Sequence, residues 1–444
     1  MINETIVALA TPNMKSAISI IRLSGPESIE IVSKFFTKDL TVVNSHSIHY
    51  GFIMQDGKKL DEVLVSVFRA PRSYTCEDVV EINTHGGIAI TRKILNVILS
   101  QGVRLAKAGE FSQRAYLNGR IDLLEVEAIN EIIEATTDKA SQLAMSGLSR
   151  QTTNLINKFK ESLLQIIAQI EVNIDYPEYD DVKELTHQEI KVALTSFKNE
   201  IVEIINNSKT SNMIKNGVKV AIIGRPNAGK SSLLNAFLEQ DKAIVTEIAG
   251  TTRDVVEAEY ILNGINLIFL DTAGIRDTED KVERLGIKKS LQVSDEADLI
   301  ILVLDNSETT INDFEKELIK SNDPRLLVVL NKTDLNDSAI IKGIRISALT
   351  GAIDDLKAEI IKKLDLNINI DNEKLFLSNQ RHLALLNQIN MAIDNALGAI
   401  ENEMPADIIV SDLEEAYDYL QELLGQKYKD SLLDELFSRF CLGK

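Results

Sequence analysis

The chain has 444 residues, 44% of them hydrophobic, and carries 48 basic against 67 acidic side chains for a net charge of −19. That length exceeds one ordinary core and predicts two to four domains, while no apolar run approaches the roughly 20 residues of a membrane span. The acidic balance excludes a generic nucleic-acid binder, whose affinity comes from neutralising phosphates, and leaves any RNA contact local or made by a partner.

From the start of the chain, Met1 to Leu9 lacks the basic-then-apolar layout of a secretory leader. The two cysteines, Cys76 and Cys441, suit a reducing cytosol, and the five histidines show no paired ligand spacing for a structural zinc. Short β-rich runs (Ile18 to Leu23, Val63 to Phe68, Val79 to Ile82) alternate with helical ones and predict an independent α+β domain over residues 1–119. Between Gly147 and Gly217 there is no other glycine and a single proline, Pro177. Leu163, Leu164, Ile167, Ile170 and Ile174 recur there at helical spacing, which predicts helices over residues 120–215. Residues 216–370 alternate strand and helix, the pattern of a mostly parallel sheet. Residues 371–444 read as helical again, with breaks near Pro405 and Gly425. The economical architecture is an α/β domain inserted into one all-α domain whose two halves pack together; the alternative is two separate bundles.

Four motifs carry the chemistry of the α/β segment. Gly224-Arg-Pro-Asn-Ala-Gly-Lys-Ser231 follows the apolar run Val218 to Ile223 and has the spacing of a phosphate-binding loop. Its backbone N–H groups, from Asn227 through Ala228 and Gly229 to Ser232, would converge on phosphates. Lys230 adds a point charge, and Ser231 offers a hydroxyl to Mg²⁺. Asp271-Thr272-Ala273-Gly274 follows Leu267 to Leu270; the carboxylate can hold Mg²⁺ through water and the glycine N–H can meet a γ-phosphate. Asn331-Lys332-Thr333-Asp334 follows Leu326 to Leu330, and Asp334 can accept both guanine N–H donors, which adenine cannot reproduce. Ser347-Ala348-Leu349 follows Ile344 to Ile346 and suits a backbone clamp on the base. Each motif stands where an apolar strand ends, as ligand sites do in open parallel sheets. The segment reads as a GTP-binding domain.

Catalysis needs a further group. Ile275 stands where many small GTPases carry a water-positioning glutamine, and it cannot hydrogen-bond water. Downstream, Glu279, Asp280 and Glu283 are all candidates, and position does not choose among them. Asn227 could point its amide oxygen at a hard cation beside the phosphates or merely stabilise the turn. Thr251 and Thr252 lie ahead of the second strand, and one of them suits a Mg²⁺-sensing switch.

Together with Ile248-Ala-Gly-Thr-Thr-Arg-Asp254, Val282-Glu-Arg-Leu-Gly286, Ala8-Leu-Ala-Thr-Pro12, Arg22-Leu-Ser-Gly25 and the terminal Phe440-Cys-Leu-Gly-Lys444, these motifs resemble the bacterial and organellar tRNA-modification GTPase family MnmE (TrmE) over the whole chain. The resemblance implies a GTPase that acts with an FAD-binding partner, MnmG, in a heterotetramer. The FAD belongs to that partner. Together they install an aminomethyl or carboxymethylaminomethyl group at C5 of the wobble uridine of certain tRNAs. It implies a cytoplasmic homodimer whose GTPase domains pair when K⁺ and GTP bind, and tRNA contacts made mostly through the partner. It makes Asn227 a K⁺ ligand with backbone oxygens near Thr246, Ile248 and Thr251, and Ser231 and Thr252 the Mg²⁺ ligands. Glu283 becomes the residue that positions the attacking water. A tetrahydrofolate, as the 5-formyl or methylene form, is expected at Arg22, Glu81, Arg120 and Lys444, with the free thiol of Cys441 nearby. Residues Asn13 to Ala17 depart from the family's glycine- and proline-rich stretch, so that loop is expected to differ in shape. Arg120 stands where lysine is also common, which keeps the charge and changes the hydrogen-bond geometry. The rival classes, a ribosome-assembly GTPase and a protein-contact switch, lack support in a G-x-x-G loop outside the GTPase segment or a basic patch.

Overall fold

The computed structural model describes residues 4–175, 187–240, 258–270, 293–308, 310–335, 341–364, 377, 379–427, 437–438, 440 and 443. The chain opens with strands β1 (Ile6–Leu9) and β2 (Ile18–Ser24), helix α1 (Ser28–Ser33), strands β3 (Ser47–Gln55), β4 (Lys58–Phe68) and β5 (Val79–His85), helix α2 (Ile88–Leu99), strand β6 (Arg104–Leu105) and helix α3 (Glu110–Leu117). Four helices follow: α4 (Leu123–Glu134), α5 (Asp138–Gly147), α6 (Gln151–Asp175) and α7 (His187–Asn216). Then come β7 (Val218–Ile223), α8 (Lys230–Gln240), β8 (Ala258–Leu262), β9 (Ile265–Phe269), β10 (Leu299–Asp305), α9 (Asp313–Lys320), β11 (Leu326–Asn331), β12 (Ile344–Arg345) and α10 (Asp354–Lys363). Helices α11 (Gln380–Glu401) and α12 (Ala406–Leu423) complete the described elements. The α/β segment is thus inserted in sequence between two helical stretches.

One compact unit comprises Met1–Asn130, Thr153–Ala168 and Leu413–Lys444. Its sheet has the order β3-β4-β5-β2-β1-β6, antiparallel except for the β1–β6 pair. Strand alternation sorts its side chains. Ile21, Leu23, Val80 and Ile82 face a core shared with Val65, Val67, Ile94 and Ile98. Arg22 and Glu81, directly paired in register, point to the other face. There Ile6, Ala8, Ala106 and Phe111 form a smaller cluster against Tyr74. Arg114 is buried and donates to the Glu4 carbonyl, Glu77 and Glu110, so α3 is tied to β1 and to the loop before β5. Phe437 and Phe440 pack with Ala115, Ile121 and Val126 in the same unit.

The second unit comprises Glu131–Thr152 and Gln169–Asp412. Its sheet order is β12-β11-β10-β7-β9-β8, parallel throughout except at β8. Strand β10 is buried from Leu299 to Leu304, with cores on both sides of the sheet, which is why it is a continuous apolar run. Helices α7 and α11 pack along their lengths and are linked at the surface by Lys198–Asp394 and Lys191–Glu401 ion pairs. No described helix is long and apolar enough to cross a membrane.

Candidate nucleotide site and a second polar cluster

The phosphate loop is built by three left-handed or Gly-type backbone positions between β7 and α8: Gly224 (φ 151°), Asn227 (φ 61°) and Gly229 (φ 95°). A β-carbon on Gly224 would run into the carbonyl oxygen of Val303 in β10, so only glycine lets the loop turn there. Turns of this kind, running into the N-terminus of a helix, are the backbone form that presents N–H groups to a phosphate. Lys230 opens α8. Its Nζ donates to the carbonyls of Gly224 (2.9 Å) and Arg225 (2.6 Å), and burial lowers its pKa below that of an ordinary lysine. Ala228 is buried, Gly229 and Ser231 are half-buried, and Asn227 and Ser232 are exposed.

The base-recognition motifs meet this loop through one buried side chain. Asn331, 2% exposed at the end of β11, donates Nδ2–H to the Ala228 carbonyl (2.9 Å) and accepts the Ala348 N–H at Oδ1 (3.0 Å). Thr333 Oγ1 donates to the Ile346 carbonyl at 2.8 Å, and Ser347 Oγ donates to Asp334 Oδ1 at 2.6 Å. The Asp334 carboxylate stays exposed, steadied on one side and open on the other. Lys332, at φ 64°, donates to Asp305 Oδ2 at 2.6 Å. Burial alone would raise the Asp305 carboxyl, but hydrogen bonds from Lys332 and Ser307 outweigh it and hold it below the usual carboxylate value. Sequence reading missed Asp305; its signal is its place as the last residue of an apolar run, in register with Asn331.

Hard oxygen donors present here, the Asn227 amide and the Ser231 hydroxyl, suit K⁺ and Mg²⁺. Thr246, Ile248, Thr251, Thr252, Asp271, Thr272, Ala273, Gly274 and Glu283 lie outside the described residues, as do Cys441 and Lys444. Among the described residues, no group of three or more His, Cys, Asp or Glu side chains is arranged to hold a metal ion.

The first unit brings a second set of polar residues together. Arg22 Nε donates to Glu81 Oε1 at 2.8 Å, and its Nη1 donates to the Gly443 carbonyl at 2.9 Å. The guanidinium lies 5.7 Å from the ring centres of both Tyr74 and Phe111, and Arg120 lies 4.9 Å from the Tyr74 ring. Tyr74 Oη pairs with Ser112 Oγ at 2.8 Å. Two of the four expected folate-site residues, Arg22 and Arg120, therefore lie against one tyrosine that sequence reading did not single out, and a third, Glu81, is paired to Arg22. At Gly443 (φ 97°) a β-carbon would come within 2.7 Å of the Leu9 carbonyl and 2.8 Å of Ala10 Cα, so the backbone is seated directly on the end of β1.

Two family models match the chain: one described as "GTP-binding protein TrmE N-terminus" matches residues 5–120, and one described as "MnmE helical domain" matches residues 123–441. The tRNA modification GTPase MnmE of Acholeplasma laidlawii is 46% identical over 445 residues, covering 99% of both chains. That of Pediococcus pentosaceus is 44% identical over 459 residues, covering 99% of this chain and 98% of its own. Among solved structures, the FeoB G-domain from Methanococcus jannaschii is similar to 33% of this chain and 98% of its own, at 23% identity and a TM-score of 0.25. That distant likeness carries no weight beside the full-length relatives.

Proposed function

Because the chain belongs to the MnmE family of tRNA modification GTPases, we propose that it is a K⁺-activated GTPase, working as a homodimer with an FAD-binding partner. Its product is a (carboxymethyl)aminomethyl group at C5 of the wobble uridine of certain tRNAs. GTP hydrolysis in the service of tRNA modification is the family's activity. The division of labour among residues is our reading, with functional segments at 1–119, 120–215, 216–370 and 371–444.

In that reading Lys230 leaves the Gly224 and Arg225 carbonyls for the β- and γ-phosphates, and the loop N–H groups neutralise the remaining charge. Asp334, Lys332 and the Ser347–Ala348 backbone take the guanine. Ser231 and Thr252 would hold Mg²⁺, with Asp271 reaching it through water. Asn227 and oxygens near Thr246, Ile248 and Thr251 would hold K⁺. Bound there, the ions supply fixed positive charge where negative charge develops, the task an arginine finger performs elsewhere. Glu283 orients the attacking water in place of the glutamine that Ile275 replaces, and the Gly274 N–H meets the γ-phosphate. In the first unit, Glu81 suits the N–H edge of a pterin, while Arg22, Arg120 and Lys444 suit its oxygens or carboxylates, with Cys441 beside it.

The observation that supports the reading is the buried Asn331 bridge, which ties Ala228 of the phosphate-loop motif to Ala348 of the segment proposed to take the guanine. The experiment is GTP turnover of the purified chain in K⁺ against Na⁺ at equal ionic strength, with light scattering to follow dimer state. Fast turnover in K⁺ and slow turnover in Na⁺ is expected. Equal rates would leave a GTPase but remove the K⁺ assignment of Asn227.

A further inference from the structure

We infer that Arg225, the second residue of the phosphate loop, is a positioning residue for the nucleotide, bracing the loop against the first turn of α9. Its guanidinium is held at every nitrogen. Nε lies 3.0 Å from both Glu315 oxygens, Nη2 lies 2.6 Å from Glu315 Oε2 and 2.7 Å from the Thr310 carbonyl, and Nη1 lies 2.5 Å from Glu308 Oε2. Glu315 is only 2% exposed, so its charge requires a partner in place of water. The same carboxylate also accepts the Asn312 N–H at 2.9 Å, while Asn312 Oδ1 accepts the Glu315 N–H at 2.8 Å. One buried carboxylate thus closes the helix cap and grips the loop.

The backbone of Arg225 faces the chemistry. Its carbonyl receives the Lys230 ammonium at 2.6 Å and, more loosely, the Ala228 N–H at 3.4 Å. When Lys230 swings to a phosphate, that carbonyl loses its closest contact, and the side-chain anchor is what keeps the Gly224–Asn227 limb in place. A limb free to move would misalign the N–H cradle, and small misplacements of binding groups are costly.

The test uses the full chain, with fluorescent GDP titration, steady-state GTP turnover and thermal unfolding for wild type, Arg225→Ala and Arg225→Lys. Arg225→Ala should raise the GDP Kd and the GTP KM about tenfold, the size of one lost charge-assisted hydrogen bond, with a smaller change in kcat. Arg225→Lys should recover only part of this, because an ammonium cannot span Glu315, Glu308 and the Thr310 carbonyl together. A folded Arg225→Ala that melts earlier yet keeps wild-type Kd and KM would make the cluster merely structural and overturn the inference. So would a loss confined to kcat. Should Arg225→Ala fail to fold, wild-type KM in Arg225→Lys would overturn it equally. The inference rests on Gly224 to Ser231 being the phosphate loop: a wild-type chain that binds no guanine nucleotide sinks that reading, whereas normal wild-type binding with an unaltered Arg225→Ala sinks only the brace.

Discussion

At the scale of single residues, the guanine contact proposed for Asp334 rests on a carboxylate that is held but not buried. Ser347 donates to one oxygen of Asp334 at 2.6 Å, and the exposed carboxylate can still accept from a purine edge. Asp334→Asn replaces an acceptor with a donor, which mismatches the guanine N–H pair and suits the C2 carbonyl of xanthine. GTP affinity should fall by roughly 10²-fold or more while xanthosine nucleotides gain; competition against fluorescent GDP measures both, and an unchanged base preference would remove Asp334 from the guanine contact. This residue and the phosphate-loop motif stand out in the sequence as candidates, because their chemistry is local and their spacing is fixed by one turn each. Asp305, Glu315 and Tyr74 were not legible. Each acts on a partner distant in sequence, Lys332, Arg225 and the Arg22–Arg120 pair, and only the folded chain brings them together. Arg22 and Glu81 were singled out by family likeness; the reason they meet is the β2–β5 register.

At the scale of elements, legibility followed burial. Strands β7 and β11 were marked by apolar runs, whereas edge strand β3, with Ser47, His49 and Gln55 among its residues, offered no such run. The packing of the C-terminal segment was also hidden, since two phenylalanines near a chain end say nothing of their destination. Phe437 is 2% exposed, stands 5.7 Å from Phe440 and 6.4 Å from Tyr116 by ring centres, and lays its carbonyl beside Gly109. Phe437→Ala should therefore cost about 3 kcal/mol locally, the lower end for a phenylalanine deleted from a core. Hydrogen exchange of the full chain, read at the amides of α3, should quicken by roughly 10²-fold. Unchanged protection there would mean that α3 does not depend on this packing.

At the scale of the whole molecule, net charge sets the terms for tRNA. A chain at −19 repels a polyanion at distances within the Debye length, about 8 Å at physiological salt. The chain alone should retain tRNA weakly at about 50 mM salt and negligibly at about 200 mM, with the FAD-binding partner restoring binding; fluorescence anisotropy of labelled tRNA decides this. Tight binding by the chain alone would place a basic surface in the molecule that composition conceals. The same scale gives meaning to the contact between Arg22 and Gly443, which are 421 positions apart. A ribosome adding about 5–20 residues per second delivers the second of these roughly 20–80 seconds after the first. The entire GTPase segment emerges in that interval. A nascent or prematurely terminated chain that stops short of Gly443 would thus carry the phosphate-loop motif while Arg22 still lacks its carbonyl partner.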